Sequence, residues 1–310
     1  MEHRPIGSLS VSVVGLGCNN FGGRIDAEAG ARVVHAALDA GIDFFDTADT
    51  YGGGLSEEIL GKALRGRREQ AIVATKFGAP GSAPAGSKRG SADWIASAVE
   101  RSLKRLGTDR IDLYQMHFPD ADVPLEETLG ALDGLVRAGK VRELGCSNFG
   151  STLIGQAARV SADKQAAPFR TVQNRYSVLT RDPEAKVLPA CREHGLGFIP
   201  YFPLESGLLT GKYREGEPLP ADARLALFPE EQRARFLADG VLARVERLRA
   251  HAEQSGHSLL ELAISWLATN PEVTSVISGA TRPEQVFANA AAASWRMSAA
   301  ERAAIDSLLQ

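Results

Sequence analysis

Eight times along the chain, a short run of apolar, β-branched or aromatic residues is followed by a longer amphipathic segment. The first three pairs are "VSVVGLG" with "AEAGARVVHAALDAG", "IDFFDTA" with "SEEILGKALRG", and "AIVATKFG" with "SADWIASAVERSLKRLG". The runs "IDLYQMH", "VRELGCSNF", "TVQNRYS", "LGFIPYFPL" and "VTSVISGA" continue the series. A run that is apolar along its whole length predicts a strand buried on both faces, and such strands belong to parallel sheets covered by helices. Eight such units predict a closed (β/α)8 barrel, and no low-complexity linker divides residues 1–310 into more than one domain.

The residues that end the runs mark one mouth of that barrel: Gly17, Asp46, Lys76, His117, Ser147, Gln173, Tyr201 and Gly279. They recur at the roughly 30-residue interval of a barrel unit, with one longer gap between Tyr201 and Gly279. That gap holds a polar, Pro-containing stretch, read as a loop after strand seven, and then two helical stretches, "LARVERLRAHAEQSG" and "SLLELAISWLATN". A last helix is predicted in "MSAAERAAIDSLLQ".

Charge and composition exclude several classes of partner. With 35 Lys+Arg against 38 Asp+Glu, a net charge of -3 and no strongly basic segment, nucleic acid is not expected as a ligand. "MEHRPIG" lacks the apolar core of a signal peptide, and no run reaches roughly 18 apolar residues, so no membrane association and a cytoplasmic location are expected. Cys18, Cys146 and Cys191 are far apart and in no CxxC arrangement, which predicts small buried thiols rather than disulfides or a zinc site. No metal is expected either, because strand ends five to eight offer Ser, Gln, Tyr and Gly instead of carboxylate or His ligands.

Two nucleotide-binding motifs are approached and missed. "GLGCNNFGG" has Gly15 and Gly17 but places Asn20 where the third glycine of a dinucleotide fingerprint belongs. "GLLTGK" has three residues between its glycines where a P-loop has four, and Tyr213 replaces the Ser/Thr that follows the lysine.

The polar residues on the predicted rim carry more. Asp46, Lys76 and His117 end strands two, three and four, and Tyr51 lies just beyond strand two in "FFDTADTYGGG". Singly, each has an ordinary structural role open to it: turn cap, solvated strand end, satisfied core histidine or loop anchor. Gathered on one rim they form a single device. A phenol with a pKa of about 10 is a poor acid–base group near neutrality, and an adjacent ammonium is expected to lower it. Lys76 is the candidate ammonium, Asp46 the carboxylate that keeps it charged, and His117 a hydrogen-bond donor that orients a substrate oxygen toward Tyr51.

These residues, in this order and spacing, resemble the aldo-keto reductase superfamily, in the branch of bacterial reductases and potassium-channel β subunits. "GIDFFDTADTYGGGLSEEILGKAL" is similar to the family's first signature, "ATKFG" carries the lysine and "IDLYQMHFPD" the histidine. The resemblance covers nearly the whole chain. It implies that NADPH, with NADH as the other candidate, lies extended across the C-terminal mouth of the barrel.

By that resemblance Ser147, Asn148 and Gln173 would bond the nicotinamide carboxamide, and Tyr201 would stack on the ring. Lys212 would meet the pyrophosphate. Gly279, Thr281, Arg282, Gln285 and Asn289 would grip the adenosine end, with Arg282 on the 2′-phosphate and a helix starting near Pro283. Gly17, Cys18, Asn19 and Asp46 from the early strand ends complete the implied cofactor set, with Phe202, Pro203, Leu204 and Ser206 after strand seven and Ala280 after strand eight. The chain departs from the family in Phe202, which stands for a Ser, and Ala288, which stands for a Glu. Gly279 and Gln285 stand where many mammalian members have Lys and Arg.

The implied activity is reduction of aldehydes or ketones by hydride transfer with Tyr51 as proton donor. The alternatives are an NAD(P)+-dependent sugar or pyridoxal dehydrogenase using the same tetrad, or a low-turnover NADPH-binding sensor or channel-associated subunit. A small carbonyl substrate is expected among Asn19, Asn20, Phe21, Tyr51, His117, Phe118 and the loop from about Arg214 to Arg235.

Overall fold

The computed structural model describes the chain apart from Glu215, Asp222, Asp239, Gln310 and the side chain of Arg235. It opens with a hairpin that the run pattern did not separate from the first barrel strand. Strands β1 (His3–Ile6) and β2 (Leu9–Ser12) pair antiparallel, and the barrel strand β3 (Val14–Gly17) begins only after Val13. The break in "VSVVGLG" comes from distant partners: Ser12 N donates to Asp43 Oδ1 at 2.8 Å, and Val13 N donates to Glu2 O at 2.9 Å.

The remaining barrel strands are β4 (Phe44–Asp46), β5 (Ile72–Phe77), β6 (Ile111–Met116), β7 (Val141–Ser147), β8 (Phe169–Arg175), β9 (Gly197–Tyr201) and β10 (Val276–Gly279). With β3 they form an eight-stranded sheet, parallel throughout, in the order β10-β3-β4-β5-β6-β7-β8-β9. Phe198 of β9 donates to Glu272 O at 3.2 Å and accepts from Thr274 N at 2.8 Å, which joins β9 to the segment entering β10 and closes the ring. The expected (β/α)8 barrel is the fold.

Helices α1 (Ala27–Asp39), α2 (Leu55–Ala63), α3 (Ala92–Leu106), α4 (Leu125–Arg137), α5 (Ser151–Lys164) and α6 (Pro183–His194) follow the strands in turn. Their ends are written in the sequence. Asp26 accepts from Ala29 N to start α1, and α3 runs from a Ser91 cap to Gly107 at φ 63°. Apolar faces such as Leu60, Ile95, Val99 and Leu129 bury against the outward side chains Val73, Ile111 and Val172.

After β9 comes a 3-10 turn at Glu205–Thr210; the stretch read as a loop then holds a second at Arg224–Leu227 and a helix, α7 (Glu230–Leu237), and the two expected helices follow as α8 (Val241–Gln254) and α9 (Leu259–Ala268). Within the expected substrate loop, Glu215, Asp222 and the Arg235 side chain lie outside the described residues. Helix α10 (Pro283–Ala291) starts at the expected proline, and α11 (Ala299–Leu308) starts from a Ser298/Glu301 capping box. No helix among the described residues is long and apolar enough to cross a membrane.

The hairpin decides which end of the barrel is open. Ile6, Leu9 and Val11 join Phe44, Ala74, Leu113, Ile199 and Ile277 in one buried cluster inside the barrel. Burial of each large apolar side chain contributes about 1.5–3 kcal/mol, so the N-terminal end is plugged by packing. The open mouth is at the C-terminal ends of the strands.

Candidate active site

Four side chains expected on one rim are brought together there. Asp46 closes β4 and is 2% exposed; Lys76 on β5 is fully buried. Lys76 Nζ donates to Asp46 Oδ2 at 2.5 Å, to Thr47 O at 2.9 Å and to Tyr51 Oη at 3.4 Å, which engages all three ammonium hydrogens. The other Asp46 oxygen accepts from Gln115 Nε2 at 3.1 Å and Gln173 Nε2 at 2.9 Å. His117 lies beside Tyr51, with ring centroids 6.0 Å apart and edge-on, and stacks on Phe118.

The electrostatics sort these groups by role. Burial pulls the Lys76 ammonium down, but Asp46 and Tyr51 together outweigh it and leave the pKa above its ordinary value. Lys76 is held as a cation near neutral pH. Tyr51 departs from the sequence expectation: burial dominates and raises the phenol, and Lys76 only partly pulls it back. The phenol is therefore held as a proton donor. His117 is lowered to about 3, by burial first and then by Lys76, so its imidazole is neutral near pH 7. Its Nδ1 is buried with no partner among the described residues.

Beside the tetrad stands a hydrogen-bonded wall from β7, β8 and β9. Ser147 Oγ donates to Gln173 O at 2.8 Å, and Asn148 Nδ2 to His117 O at 2.9 Å and Ser147 Oγ at 3.1 Å. Tyr201 Oη donates to Asn148 Oδ1 at 2.8 Å. Asn148 tolerates φ 61°, as this residue type does when its side chain is bonded locally. These bonds tie Tyr201 through Asn148 to the His117 carbonyl, and Gln173, which also donates to Asp46, to Ser147.

Next comes a turn in which Phe202, Glu205 and Ser206 all have positive φ, at 56°, 44° and 55°. Such strain persists only where the surroundings over-determine it. Here buried Glu205 accepts from Ser177 Oγ at 2.6 Å and from the Arg175 guanidinium. Among the described residues, Ser206 Oγ is left buried without a partner, as is Ser278 Oγ on β10.

A cavity of about 680 Å³ runs from Tyr51 and His117 past this turn to the start of α10. That is within the roughly 300–1,000 Å³ range of small-molecule sites. Asp46, Phe118, Ser147, Asn148 and Gln173 line it around the tetrad. Tyr201, Phe202, Pro203, Leu204, Ser206 and Lys212 line it along the turn after β9, and Gly17, Asn19 and Asn20 line it beside Gly279 of β10, which pairs with Gly17 of β3. Thr281, Arg282, Gln285, Ala288 and Asn289 line the far end. There Gln285 Oε1 accepts from Thr281 N at 2.8 Å, and Arg282 is 65% exposed. Orphaned hydroxyls at Ser206 and Ser278, an amide-lined inner end and cations at Lys212 and Arg282 suit a dinucleotide.

Three expected residues are placed elsewhere. Phe21 is fully buried in the core against Gly30 of α1, so it does not line a substrate pocket. Cys18 is likewise buried, with its thiol turned to Leu16 O, and Ala280 is buried just after β10, where its carbonyl accepts from Asn20 Nδ2 at 3.3 Å. All three cysteines are free and buried, as expected.

Other residues escaped the sequence reading. Gln115 stands opposite Lys76 in the β5–β6 register, two residues before His117, and the strand-end rule passes over it. Arg24, Gly207, Thr210 and Ser278 also line the cavity, whereas Ala223 and Arg224, which line it too, belong to the loop expected there. The Arg224 guanidinium lies 5.6 Å from the centroid of Phe202, the residue that departs from the family pattern.

A barrel with this rim and cavity defines a class, and sequence comparison agrees. The model of the Aldo/keto reductase family matches residues 13–310. A probable voltage-gated potassium channel subunit beta of Oryza sativa subsp. japonica is 37% identical over 297 residues, covering 93% of this chain and 90% of the relative. The aldo-keto reductase YhdN of Bacillus subtilis (strain 168) is 34% identical over 319 residues, covering 100% and 94%. An uncharacterized oxidoreductase of the same bacterium, YrpG, is 37% identical over 299 residues, covering 92% and 89%. The chain belongs to the aldo/keto reductase family, and that membership supports a general oxidoreductase role.

Proposed function

We propose that this protein reduces small aldehydes or ketones to alcohols with NADPH. The observation that carries the reading is the contact of Tyr51 Oη with Lys76 Nζ at 3.4 Å, backed by Asp46 at 2.5 Å. When bound, the reduced nicotinamide supplies hydride to the carbonyl carbon. Tyr51 then gives its proton to the carbonyl oxygen, and Lys76 stabilises the phenolate left behind. Asp46 is not the proton carrier, because its oxygens already accept from Lys76, Gln115 and Gln173. Neutral His117 donates a hydrogen bond that aims the carbonyl oxygen at Tyr51.

Gln173 and Asn148 would hold the carboxamide, Tyr201 the ring face, and Ser206 and Lys212 the diphosphate. Arg282 would bind the 2′-phosphate, which is the basis for preferring NADPH over NADH. The potassium-channel names of two relatives, from rice and Arabidopsis thaliana, favour a second reading as a cofactor-binding subunit with slow turnover. A fluorescence titration with NADPH and NADH, followed by a panel of aldehydes and ketones, tests both. Micromolar NADPH binding with multiple turnovers supports the reductase, binding without turnover the subunit, and no binding below millimolar NADPH removes both.

A further inference from the structure

Behind the barrel wall lies a second group of buried charges that the proton relay does not use. Glu57 of α2 is fully buried. Its Oε1 accepts from Thr75 Oγ1 at 2.6 Å, and its Oε2 from Arg105 Nε at 2.6 Å. Thr75 immediately precedes Lys76 on β5. Arg105 of α3 lies against the turn that starts at Tyr51, since a β-carbon on Gly54 would come within 2.9 Å of Arg105 Cδ.

That turn needs an external brace. Gly52, Gly53 and Gly54 have φ of 57°, 66° and 98°, and glycines reach many other conformations at little cost. Its backbone therefore does not by itself determine where the Tyr51 hydroxyl points. One side is packed by the preceding loop, where a β-carbon on Gly52 would meet Phe21 O at 2.7 Å. The other side is packed by Arg105.

We propose that Glu57 and Arg105 are positioning residues: their ion pair ties the Tyr51–Gly54 turn to the Thr75–Lys76 step of β5, and so sets the tyrosine hydroxyl against the lysine. A buried ion pair is in general weak support for stability compared with an apolar replacement, so its place between these two segments is the more informative property. The inference rests on Tyr51 being the proton donor.

The test compares wild type, Arg105→Met, Arg105→Lys and Thr75→Val. Amide hydrogen exchange at residues 51–54 of the cofactor-free protein is measured alongside NADPH affinity and benzaldehyde turnover. Arg105→Met is expected to speed exchange at the turn by at least about tenfold, as loss of a charge-assisted bond implies. Its turnover should fall about 100-fold through misplacement of the hydroxyl, with NADPH affinity within about twofold of wild type. Arg105→Lys should recover most of both losses. Thr75→Val removes one bond without stranding a charge, and serves if Arg105→Met does not fold; it should shift exchange and turnover the same way. A folded variant of either kind with wild-type exchange at the turn overturns the proposal. Wild-type protein that reduces no carbonyl overturns the reading of Tyr51, and the exchange data then decide whether the brace exists.

Discussion

Lys76 and Asp46 meet at 2.5 Å with both side chains shut off from solvent, at 0% and 3% exposure. Neither could be buried alone at tolerable cost, and together they present a fixed positive charge to Tyr51. Replacing Asp46 by Asn strands that charge. Equilibrium urea unfolding should show a loss of about 3–5 kcal/mol, the range for breaking a buried pair. The pH dependence of turnover should shift as well, because Lys76 is then easier to deprotonate.

His117 makes a prediction about acid stability. Its folded value of about 3 is below the ordinary 6.5, so the unfolded chain takes up the proton first. The stability it contributes is complete above about 6.5 and is lost as pH falls toward 3. His117→Phe should therefore be less sensitive than wild type to a drop from pH 7 to pH 4, read as the change in urea midpoint.

Asp49 works in the opposite sense. Burial and the nearby Glu57 raise it to about 6 from 3.8, against the pull of Arg105, Arg101 and Lys76. Its contribution is complete below 3.8 and is lost as pH rises through about 6. Asp49→Asn should gain stability relative to wild type between pH 4 and pH 7, and a constant difference across that range would rule out the raised value.

Arg282 gives a test of cofactor preference. Exposed at the far end of the cavity, it lies 3.9 Å from Glu284 in a loose contact. Arg282→Ala should weaken NADPH binding about tenfold, or about 1.4 kcal/mol, and leave NADH binding unchanged. The gap between the cofactors should narrow at about 1 M salt, where screening acts within a few ångströms.

The tetrad was legible in the sequence for a simple reason. A polar residue ending a wholly apolar run stands out, and barrel topology places all such ends on one rim. Gln115 was hidden because it is inside a run, and only the register with Lys76 shows it facing Asp46. Phe21 misled in the opposite way: its place in a rim loop suggested the mouth, but its ring turns into the core. The hairpin merged with the first barrel strand because Val11, Ser12, Val13 and Val14 read as one run, and long-range bonds to Glu2 and Asp43 divide it. The raised pKa of Tyr51 was not legible either. Lys76 beside it could be inferred from order along the chain, whereas burial of the hydroxyl follows from the packed rim.

Tyr51→Phe tests the central claim most directly, since it removes one oxygen and leaves the ring in place. Steady-state reduction of an aromatic aldehyde by wild type and variant should differ by about 100- to 10,000-fold, the usual contribution of a positioned proton donor, with NADPH titrating equally in both. Equal rates in two proteins that bind NADPH alike would contradict the account and remove Tyr51 from the chemistry.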